Sequence, residues 1–125
     1  MDLPHVIKMV TPNFCDDSGA KFADVASRVE ELVTGEFLVS IKPSTVYTMK
    51  WCLHDWMDDD VIKILQNVRK AIIPSPVSRF LIFDFVKREG QSGRLPRYGD
   101  LIMMITCNGK ERSLEEWEYV GSQSG

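Results

Sequence analysis

Two apolar segments on either side of one amphipathic helix constrain the fold of this chain more than any other feature. The segments Val46 to Leu53, VYTMKWCL, and Arg79 to Val86, RFLIFDFV, are rich in β-branched and aromatic residues. Such composition is typical of strands that are buried on both faces. Strand, helix and strand make a βαβ unit, so we expect parallel strands, with the first one central in the sheet, and a right-handed crossover.

The helix between these strands is predicted from the spacing of its apolar residues. VIKILQNVRKAI carries them at i, i+4, i+7 and i+11, which places them on one face. Acidic residues at 58–60 and the basic pair Arg69-Lys70 complement the helix dipole, and Pro74 prevents continuation. The apolar stripe consists of Val61, Leu65, Val68 and Ile72.

The remaining segments give weaker signals. DLPHVI, at the start, is interpreted as a short extended piece, and residues 22–33 as a helix that passes into a strand. Residues 87–98 are basic and contain Gly and Pro, so we expect a connection or a lid. DLIMMITC at 100–107 is unresolved between helix and strand, and its methionines suit an adaptable pocket wall as well as a core, with the core favoured. Ser113 and Glu116 have capping-box spacing and predict a helix through SLEEWEYV that ends at the glycine of GSQSG.

Length and charge exclude several classes of protein. A chain of 125 residues suits one domain. A net charge of -3 argues against nucleic acid as a partner, since phosphate binding needs basic excess. No apolar run approaches the roughly 20 residues of a membrane span, and MDLPHVIKMV is unlike a secretory signal, so neither membrane nor export is expected. The cysteines Cys15, Cys52 and Cys107 form no CxxC pair, so we expect reduced thiols, no metal site and a cytoplasmic location.

One segment can carry chemistry. Leu53-His54-Asp55-Trp56 follows a strand and precedes a helix, which is where ligands bind in open α/β sheets. One interpretation makes His54 a satisfied, partly buried histidine and Asp55 a carboxylate that leads the helix. The other makes His54 a general base, because an imidazole can take a proton from a hydroxyl when a partner fixes its other nitrogen. Asp84 and Glu111 are candidate partners, and the residues alone leave both interpretations open.

Five segments in a fixed order resemble one family: DLPHVI, TGEF, MKWCLHDW, IFDFV and GKERSLEEW. From about Asp2 to Val120, the chain resembles the catalytic part of the S-adenosylmethionine-dependent O-methyltransferases of plant and fungal phenolic and polyketide metabolism. The resemblance implies an α/β fold, namely a partial Rossmann-like methyltransferase fold with a mostly parallel sheet and flanking helices. It also implies transfer of a methyl group from S-adenosylmethionine to a hydroxyl of a small aromatic or polyketide substrate in secondary metabolism.

The resemblance assigns roles residue by residue. His54 matches the catalytic base, and Asp84 and Glu111 match the carboxylates that orient it. The positions matched to cofactor contacts are Asp2 at the ribose hydroxyls, Glu36 and Phe37 at the adenine, and Lys50. The positions matched to the substrate side are Asp55, Met103 and Met104. The chain departs from the family pattern in three places: Asp84 stands where many members have Glu, and Glu36 and Phe37 stand where Asp and Met are usual.

A glycine-rich loop is expected before DLPHV in this family. Its GxGxG pattern holds the methionine end of the cofactor by close backbone approach, whereas here Met1 directly precedes Asp2 and the glycines elsewhere lack that spacing. We therefore expect residues 1–125 to form a partial O-methyltransferase catalytic domain without this loop, the N-terminal dimerisation domain or the closing strands. Positioning two reactants is worth about 7–11 kcal/mol and general-base catalysis roughly 3–5 kcal/mol, so the loop matters more than the base.

Three functions are open at this stage, and the sequence leaves undecided whether the chain alone is an enzyme. The first is O-methyl transfer with His54 as base, in a homodimer or with a partner chain. The second is a cofactor-independent isomerase, dehydratase or cyclase that uses the same base. The third is a non-catalytic truncated homologue or dimer partner.

Overall fold

The computed structural model describes residues 1–15, 19–88 and 94–125. The chain divides into two compact units, Met1–Lys42 and Pro43–Gly125. Compact units are not by themselves separate domains, so the expectation of a single domain stays a prediction.

The first unit begins with a helix where the sequence analysis expects an extended piece. Helix α1 spans Pro4–Val10, and a 3-10 turn follows at Thr11–Phe14. The extended interpretation of DLPHVI is wrong, because the proline stands in the first helical turn. There its fixed φ suits the helix and its missing N–H would have no partner anyway.

The expectation for residues 22–33 is half confirmed. Helix α2 spans Ala23–Ala26, a single turn. The strand that should follow is absent from 30–33, and Thr34 makes only an isolated parallel bridge to Asp2. The segment Val-Glu-Glu-Leu-Val therefore forms no strand here, although its residues alternate between apolar and polar.

The second unit contains the predicted βαβ unit. Strand β1, Val46–Lys50, pairs in parallel with strand β2, Arg79–Phe83, and Val46 lies opposite Arg79. Helix α3, Asp58–Ala71, connects them, so the predicted helix is confirmed and begins within the acidic run. The sequence pattern locates this unit well because each of its elements has a long, regular pattern of its own.

The core of the second unit lies along one face of α3. Each buried aliphatic side chain there contributes roughly 1.5–3 kcal/mol relative to exposure. Leu53, after β1, and Val120, near the chain end, are also fully buried. The buried aliphatic side chains of α3 are Val61, Ile64, Leu65 and Val68.

The strands are shorter and more exposed than predicted. β1 ends at Lys50, because Trp51 has φ +50°, a left-handed backbone conformation that leaves the strand. Val46 and Phe83 remain exposed, so the prediction of burial on both faces is wrong. A strand is buried on both faces only where two layers cover the sheet. Among the described residues β1 pairs with β2 alone, so its central place in a sheet is not observed.

Helix α4, Arg94–Thr106, resolves the ambiguity at DLIMMITC in favour of a helix. The predicted connection at 87–98 extends too far, because its last residues already belong to α4. A lid would involve residues 89–93, which lie outside the described residues. Met104 is 60% exposed, so its assignment to the core is wrong, whereas Met103 is half-buried. In the described part of the chain, no helix is long and apolar enough to span a membrane.

The last elements bring the GKER segment back to the sheet region. Strand β3, Val86–Lys87, pairs in parallel with strand β4, Arg112–Ser113, and helix α5 spans Leu114–Gln123. The capping box is confirmed: the Glu116 N–H donates to Ser113 Oγ at 3.2 Å, and the Ser113 N–H donates to Glu116 Oε2 at 2.8 Å. The predicted end at Gly121 is wrong, because α5 continues through it to Gln123.

Removing the cap should weaken the second unit. We expect Ser113→Ala to lower the free energy of unfolding by about 1 kcal/mol, because the Glu116 N–H loses its partner. Urea unfolding followed by tryptophan fluorescence measures this, since all three tryptophans lie beyond residue 43. Ser122→Ala, at the other end of α5, is the matched control and should change stability by no more than about 0.5 kcal/mol. Equal effects of the two substitutions would contradict the role of the cap.

Candidate active site

The site is built on the chain between β1 and α3. After Trp51 has turned the backbone, Leu53–Asp55 form one turn of 3-10 helix, which we call the His54 turn. The Trp51 N–H donates to the carbonyl of Phe83 at 3.0 Å, which ties the start of this segment to the end of β2. Leu53 is fully buried and anchors the turn, so His54 is presented from a fixed backbone.

The structure brings His54 together with the carboxylates predicted for it. His54 Nδ1 lies 3.0 Å from Glu111 Oε1, although the two residues are 57 positions apart in the chain. A carboxylate can only accept a hydrogen bond, so this contact places the proton on Nδ1 and leaves the Nε2 lone pair free. The His54 side chain is 12% exposed, so the ring is largely shielded. The contact gives His54 a partner on Nδ1, which both interpretations of this histidine require, and its role as a base stays a prediction.

Asp84 flanks the same nitrogen at a longer distance. It directly follows β2, and its Oδ1 lies 3.7 Å from His54 Nδ1, beyond a normal hydrogen bond. Neither carboxylate oxygen has a hydrogen-bond partner of normal geometry. Burial raises the pKa of Asp84, and the charges of Glu111 and Asp55 add to that effect, while His54 and the Leu53 N–H oppose it. Asp84 therefore acts on the imidazole through its field, without a hydrogen bond.

Glu111 is held in place by α4. Asp100 Oδ1 accepts a hydrogen bond from the Glu111 N–H at 2.9 Å, and Lys87 Nζ lies 3.4 Å from the other oxygen of Asp100. Gly99, also on α4, packs beside this carboxylate: a Cβ there would stand 3.4 Å from Glu111 Oε1, an ordinary van der Waals contact. Glu111 Oε2 is buried without a hydrogen-bond partner. The position of the whole Glu111 residue therefore determines which of its two carboxylate oxygens contacts His54.

Gly109 lets the GKER segment lie directly against the His54 turn. The Lys110 N–H donates to the His54 carbonyl at 2.9 Å, and the Gly109 N–H donates to the Met103 carbonyl at 3.1 Å. A Cβ on Gly109 would overlap the His54 carbonyl oxygen. Only glycine permits such close backbone approach.

A cluster of ion pairs surrounds this contact. Lys110 Nζ lies 2.8 Å from Asp58 Oδ2 and 3.1 Å from Glu116 Oε1. Burial works to raise the pKa of Asp58, but hydrogen bonds from Lys110 and Arg112 outweigh it and leave that pKa lowered. Burial likewise works to lower the pKa of Lys110, and the hydrogen bonds to Asp58 and Glu116 leave it raised. These groups are therefore charged at neutral pH, which joins the start of α3 to the start of α5.

The open side of the imidazole is polar. His54 Nε2 lies 3.6 Å from Asp55 Oδ1, and Cys107 Sγ lies 3.4 Å from the same oxygen. A cavity of about 440 Å³ borders Asp55 and Cys107, with Asp60 and Asn108 also on its wall; His54 itself is not among its lining residues. A second, apolar cavity of about 400 Å³ reaches Asp84 from β2 and α5.

The other residues predicted for the site belong to both units of the chain. In the first unit, Asp2 is exposed and its Oδ1 accepts a hydrogen bond from the Leu3 N–H at 2.7 Å, Glu36 is exposed, and Phe37 is half-buried. In the second unit, Lys50 Nζ lies 4.9 Å from the centre of the Trp51 ring. Met103 and Met104 lie on α4, and Met103 Sδ is 3.8 Å from Cys107 Sγ. The roles of these residues stay predictions.

Sequence reasoning missed the residues that hold the turn. Gly109, Lys110 and Arg112 flank Glu111, yet only Glu111 was assigned a role. The signal available was a glycine followed by three charged residues just before a capping box. Such a run is more often a solvated surface, so the pattern alone did not separate these residues.

A side chain at Gly109 should disturb the His54 turn. We expect Gly109→Ala to lower the free energy of unfolding by about 1–3 kcal/mol, because a Cβ would overlap the His54 carbonyl. Gly121→Ala is the matched control: a Cβ there meets nothing within 4 Å, and alanine should stabilise α5 by up to about 1 kcal/mol. Urea unfolding distinguishes the two, and a neutral Gly109→Ala would contradict the close approach.

Asp84 should destabilise the chain at neutral pH. Because its pKa is raised in the folded state, the folded chain binds this proton more tightly than the unfolded chain. Stability is therefore lost as pH rises from the unfolded-state pKa of an aspartate through the raised folded value. We expect Asp84→Asn to be more resistant to urea than the parent near pH 7 and to lose that advantage in strong acid, where the carboxyl is protonated in both states.

Glu118→Gln, on the exposed side of α5, is the control for a change of net charge. It should shift stability by no more than about 0.5 kcal/mol. An Asp84→Asn variant that is less stable than the parent near pH 7 would show that the carboxylate is favourable in the folded state, against the expectation.

Comparisons with known proteins agree with this geometry. A family model described as an O-methyltransferase domain matches residues 1–125. The O-methyltransferase gliM of Aspergillus fumigatus is 62% identical over 125 residues, which is 100% of this chain and 29% of that protein. The solved structure of the mitomycin 7-O-methyltransferase MmcR has a TM-score of 0.79 and 31% identity, covering 98% of this chain and 34% of that one.

A third relative carries a bound product of the cofactor. The structure of CalO1, a methyltransferase in calicheamicin biosynthesis, in its SAH-bound form has a TM-score of 0.69 and 33% identity, covering 82% of this chain and 30% of that one. The chain thus spans about three tenths of the length of these relatives. The resemblance seen in the sequence and the α/β methyltransferase fold are both confirmed, and the chain belongs to the O-methyltransferase domain family.

Proposed function

We propose that this chain carries the general base of an S-adenosylmethionine-dependent O-methyltransferase that acts on a hydroxyl of a small aromatic or polyketide molecule in secondary metabolism. The observation that carries the proposal is the 3.0 Å contact between His54 Nδ1 and Glu111 Oε1. Family membership adds the reaction class. The cofactor-independent alternative is not favoured, since the relatives are methyltransferases.

The residues can perform the proton transfer. A phenol attacks well only as its proton leaves, and His54 Nε2 has a free lone pair because Nδ1 holds the proton. When Nε2 accepts that proton, the ring becomes a cation beside Glu111 and Asp84, whose negative charges stabilise it. General-base catalysis of this kind typically contributes about 10²–10⁴-fold.

Asp55 lies next to Nε2 of His54, on the side that we assign to the substrate. Its Oδ1 lies 3.6 Å from His54 Nε2, and Asp55 lines the 440 Å³ cavity, so Asp55 lies between that cavity and the imidazole. We assign Met103 and Met104 to the same substrate side, where thioether side chains suit apolar rings. The flat, adaptable character of such contacts fits an aromatic or polyketide substrate.

The residues present fit part of a cofactor site. Asp2 and Glu36 are exposed carboxylates that can accept hydrogen bonds from ribose hydroxyls and the adenine amine, and Phe37 offers an apolar ring. Lys50 is the fourth residue that we assign to cofactor binding. S-adenosylmethionine, when bound, supplies an electrophilic sulfonium methyl group. The chain's own residues position that molecule and accept the proton of the acceptor hydroxyl.

Calorimetry and methyl-transfer assays test the proposal together. Calorimetry with S-adenosylmethionine tests cofactor binding by this chain, and we expect labelled methyl transfer to a panel of phenols to fall about 10²–10⁴-fold in His54→Ala. The change removes the base without removing cofactor contacts, so binding should persist. His5→Ala replaces the only other histidine and should leave the rate unchanged.

Two outcomes would count against the proposal. Absence of cofactor binding at millimolar concentration would remove independent methyl transfer by this chain. Equal rates in His54→Ala and the parent would remove the base from the mechanism even if the cofactor binds.

A further inference from the structure

Arg112 is a buried cation that holds the backbone on both sides of His54. Its residue is 0% exposed. Nη1 donates to the Leu53 carbonyl at 3.0 Å, and Nη2 donates to the Trp56 carbonyl at 2.7 Å. The two acceptors bracket the His54 turn, one before and one after the histidine.

The burial of the Arg112 charge requires compensating contacts. A buried guanidinium is unfavourable unless its donors are satisfied and its charge is paired. Here Nε donates to Asp58 Oδ1 at 3.0 Å, and the guanidinium carbon lies 5.2 Å from the centre of the Trp117 ring. Asp58 is partly exposed, whereas the contact with the Leu53 carbonyl is buried, so the two carbonyls account for a position of the guanidinium that the ion pair alone does not require.

The shape of arginine suits these acceptors. The Leu53 carbonyl already accepts a hydrogen bond from the Trp56 N–H at 3.3 Å, and Arg112 adds a second donor to it. The planar guanidinium presents several donors in a rigid fork, so it can reach the Trp56 carbonyl at the same time. Arg112 therefore satisfies two carbonyls and one carboxylate with fixed geometry. Lysine, a single point of charge on a flexible stem, could reach one of the carbonyls at a time.

Chain order couples this contact to the base. Glu111 directly precedes Arg112, the first residue of β4, and the two side chains have different partners: Glu111 contacts His54 Nδ1, and Arg112 contacts the Leu53 and Trp56 carbonyls. Glu111 holds the imidazole ring, while Arg112 holds the backbone that carries it. The Lys110 N–H holds the His54 carbonyl between them at 2.9 Å. One short segment thus fixes both the side chain and the main chain of the same histidine.

We propose that Arg112 is a positioning residue for His54, which keeps Nδ1 directed at Glu111 and so keeps the proton on Nδ1. The proposal rests on the proposed function for its catalytic meaning. Its physical content, a preference for one imidazole tautomer, can be measured without any reaction.

The experiment compares His54 tautomers by 15N NMR of histidine-labelled chain, in alkaline buffer where the rings are neutral. In the parent, the Nδ1–H form should dominate. In Arg112→Met the ratio of Nδ1–H to Nε2–H should fall by roughly tenfold, because the charge-assisted hydrogen bond to Glu111 is loosened. His5, seen in the same spectrum, reports any general change of conditions.

Lys110→Met is the matched control. It also removes a cation paired with Asp58, at 2.8 Å, but its side chain contacts neither the Leu53 nor the Trp56 carbonyl in the described contacts. We expect the tautomer ratio of this variant to equal that of the parent. A fall equal to that in Arg112→Met would show that charge balance around Asp58 is the cause, and would overturn the proposal.

Arg112→Lys keeps the experiment decisive if the methionine variant does not fold. It retains the charge and should lower the tautomer ratio by an intermediate amount, with the dispersion of the amide spectrum as the test of folding. An unchanged ratio in folded Arg112→Lys and Arg112→Met would overturn the proposal. So would rapid solvent exchange of the Arg112 guanidinium protons in the parent, a measurement that needs no variant.

These results are independent of methyl transfer. A chain that shows the expected tautomer shift and transfers no methyl group would retain the positioning role and lose the proposed function. The reverse result is methyl transfer together with a tautomer ratio that does not change in the Arg112 variants. It would contradict only the positioning role.

Discussion

The close approach of the GKER segment to the His54 turn is the constraint on which the rest of this structure depends. Gly109 makes the approach sterically feasible, and hydrogen bonds from Lys110 and Arg112 then reach the carbonyls around His54. The contact closes a long loop, whose entropy must be offset by what lies between its ends. Helices α3 and α4 and the β3–β4 pairing provide that support, so the site is a consequence of tertiary structure more than of any local motif.

Buried charge is the recurring cost of this arrangement. Asp84 and Glu111 both place carboxylate oxygens out of water without hydrogen-bond partners, and Arg112 is buried beside them. The ion pairs of Asp58 with Lys110 and Arg112 favour the charged forms of these groups. The pKa of Asp58 is lowered and the pKa of Lys110 is raised. A fold under selection for stability alone would replace such groups with apolar ones. Ionisable groups with shifted pKa values cluster at functional sites, and this cluster around one imidazole is part of the support for the proposed base.

The sequence predicts those parts that have their own periodic pattern. Helices α3 and α5 and the βαβ unit were found because helical spacing and capping residues are local properties. The pattern of DLIMMITC does not distinguish helix α4 from a strand because its middle is an unbroken apolar run, and α1 is too short, at seven residues starting with proline, to show periodicity. The link of His54 to Glu111 came from family resemblance, whereas Gly109 and Arg112 act through distances between remote segments, which no local pattern records.

A single methylene explains why the two carboxylates act differently. Glu111 reaches His54 Nδ1 at 3.0 Å, whereas the shorter Asp84 stops at 3.7 Å on the same nitrogen. Two carboxylates within hydrogen-bond distance would compete for one N–H and leave the ring orientation divided between them. With Asp84 too short, Glu111 alone sets the tautomer. The raised pKa of Asp84 accompanies this distance, because a carboxyl buried without a hydrogen-bond donor has its charged form disfavoured.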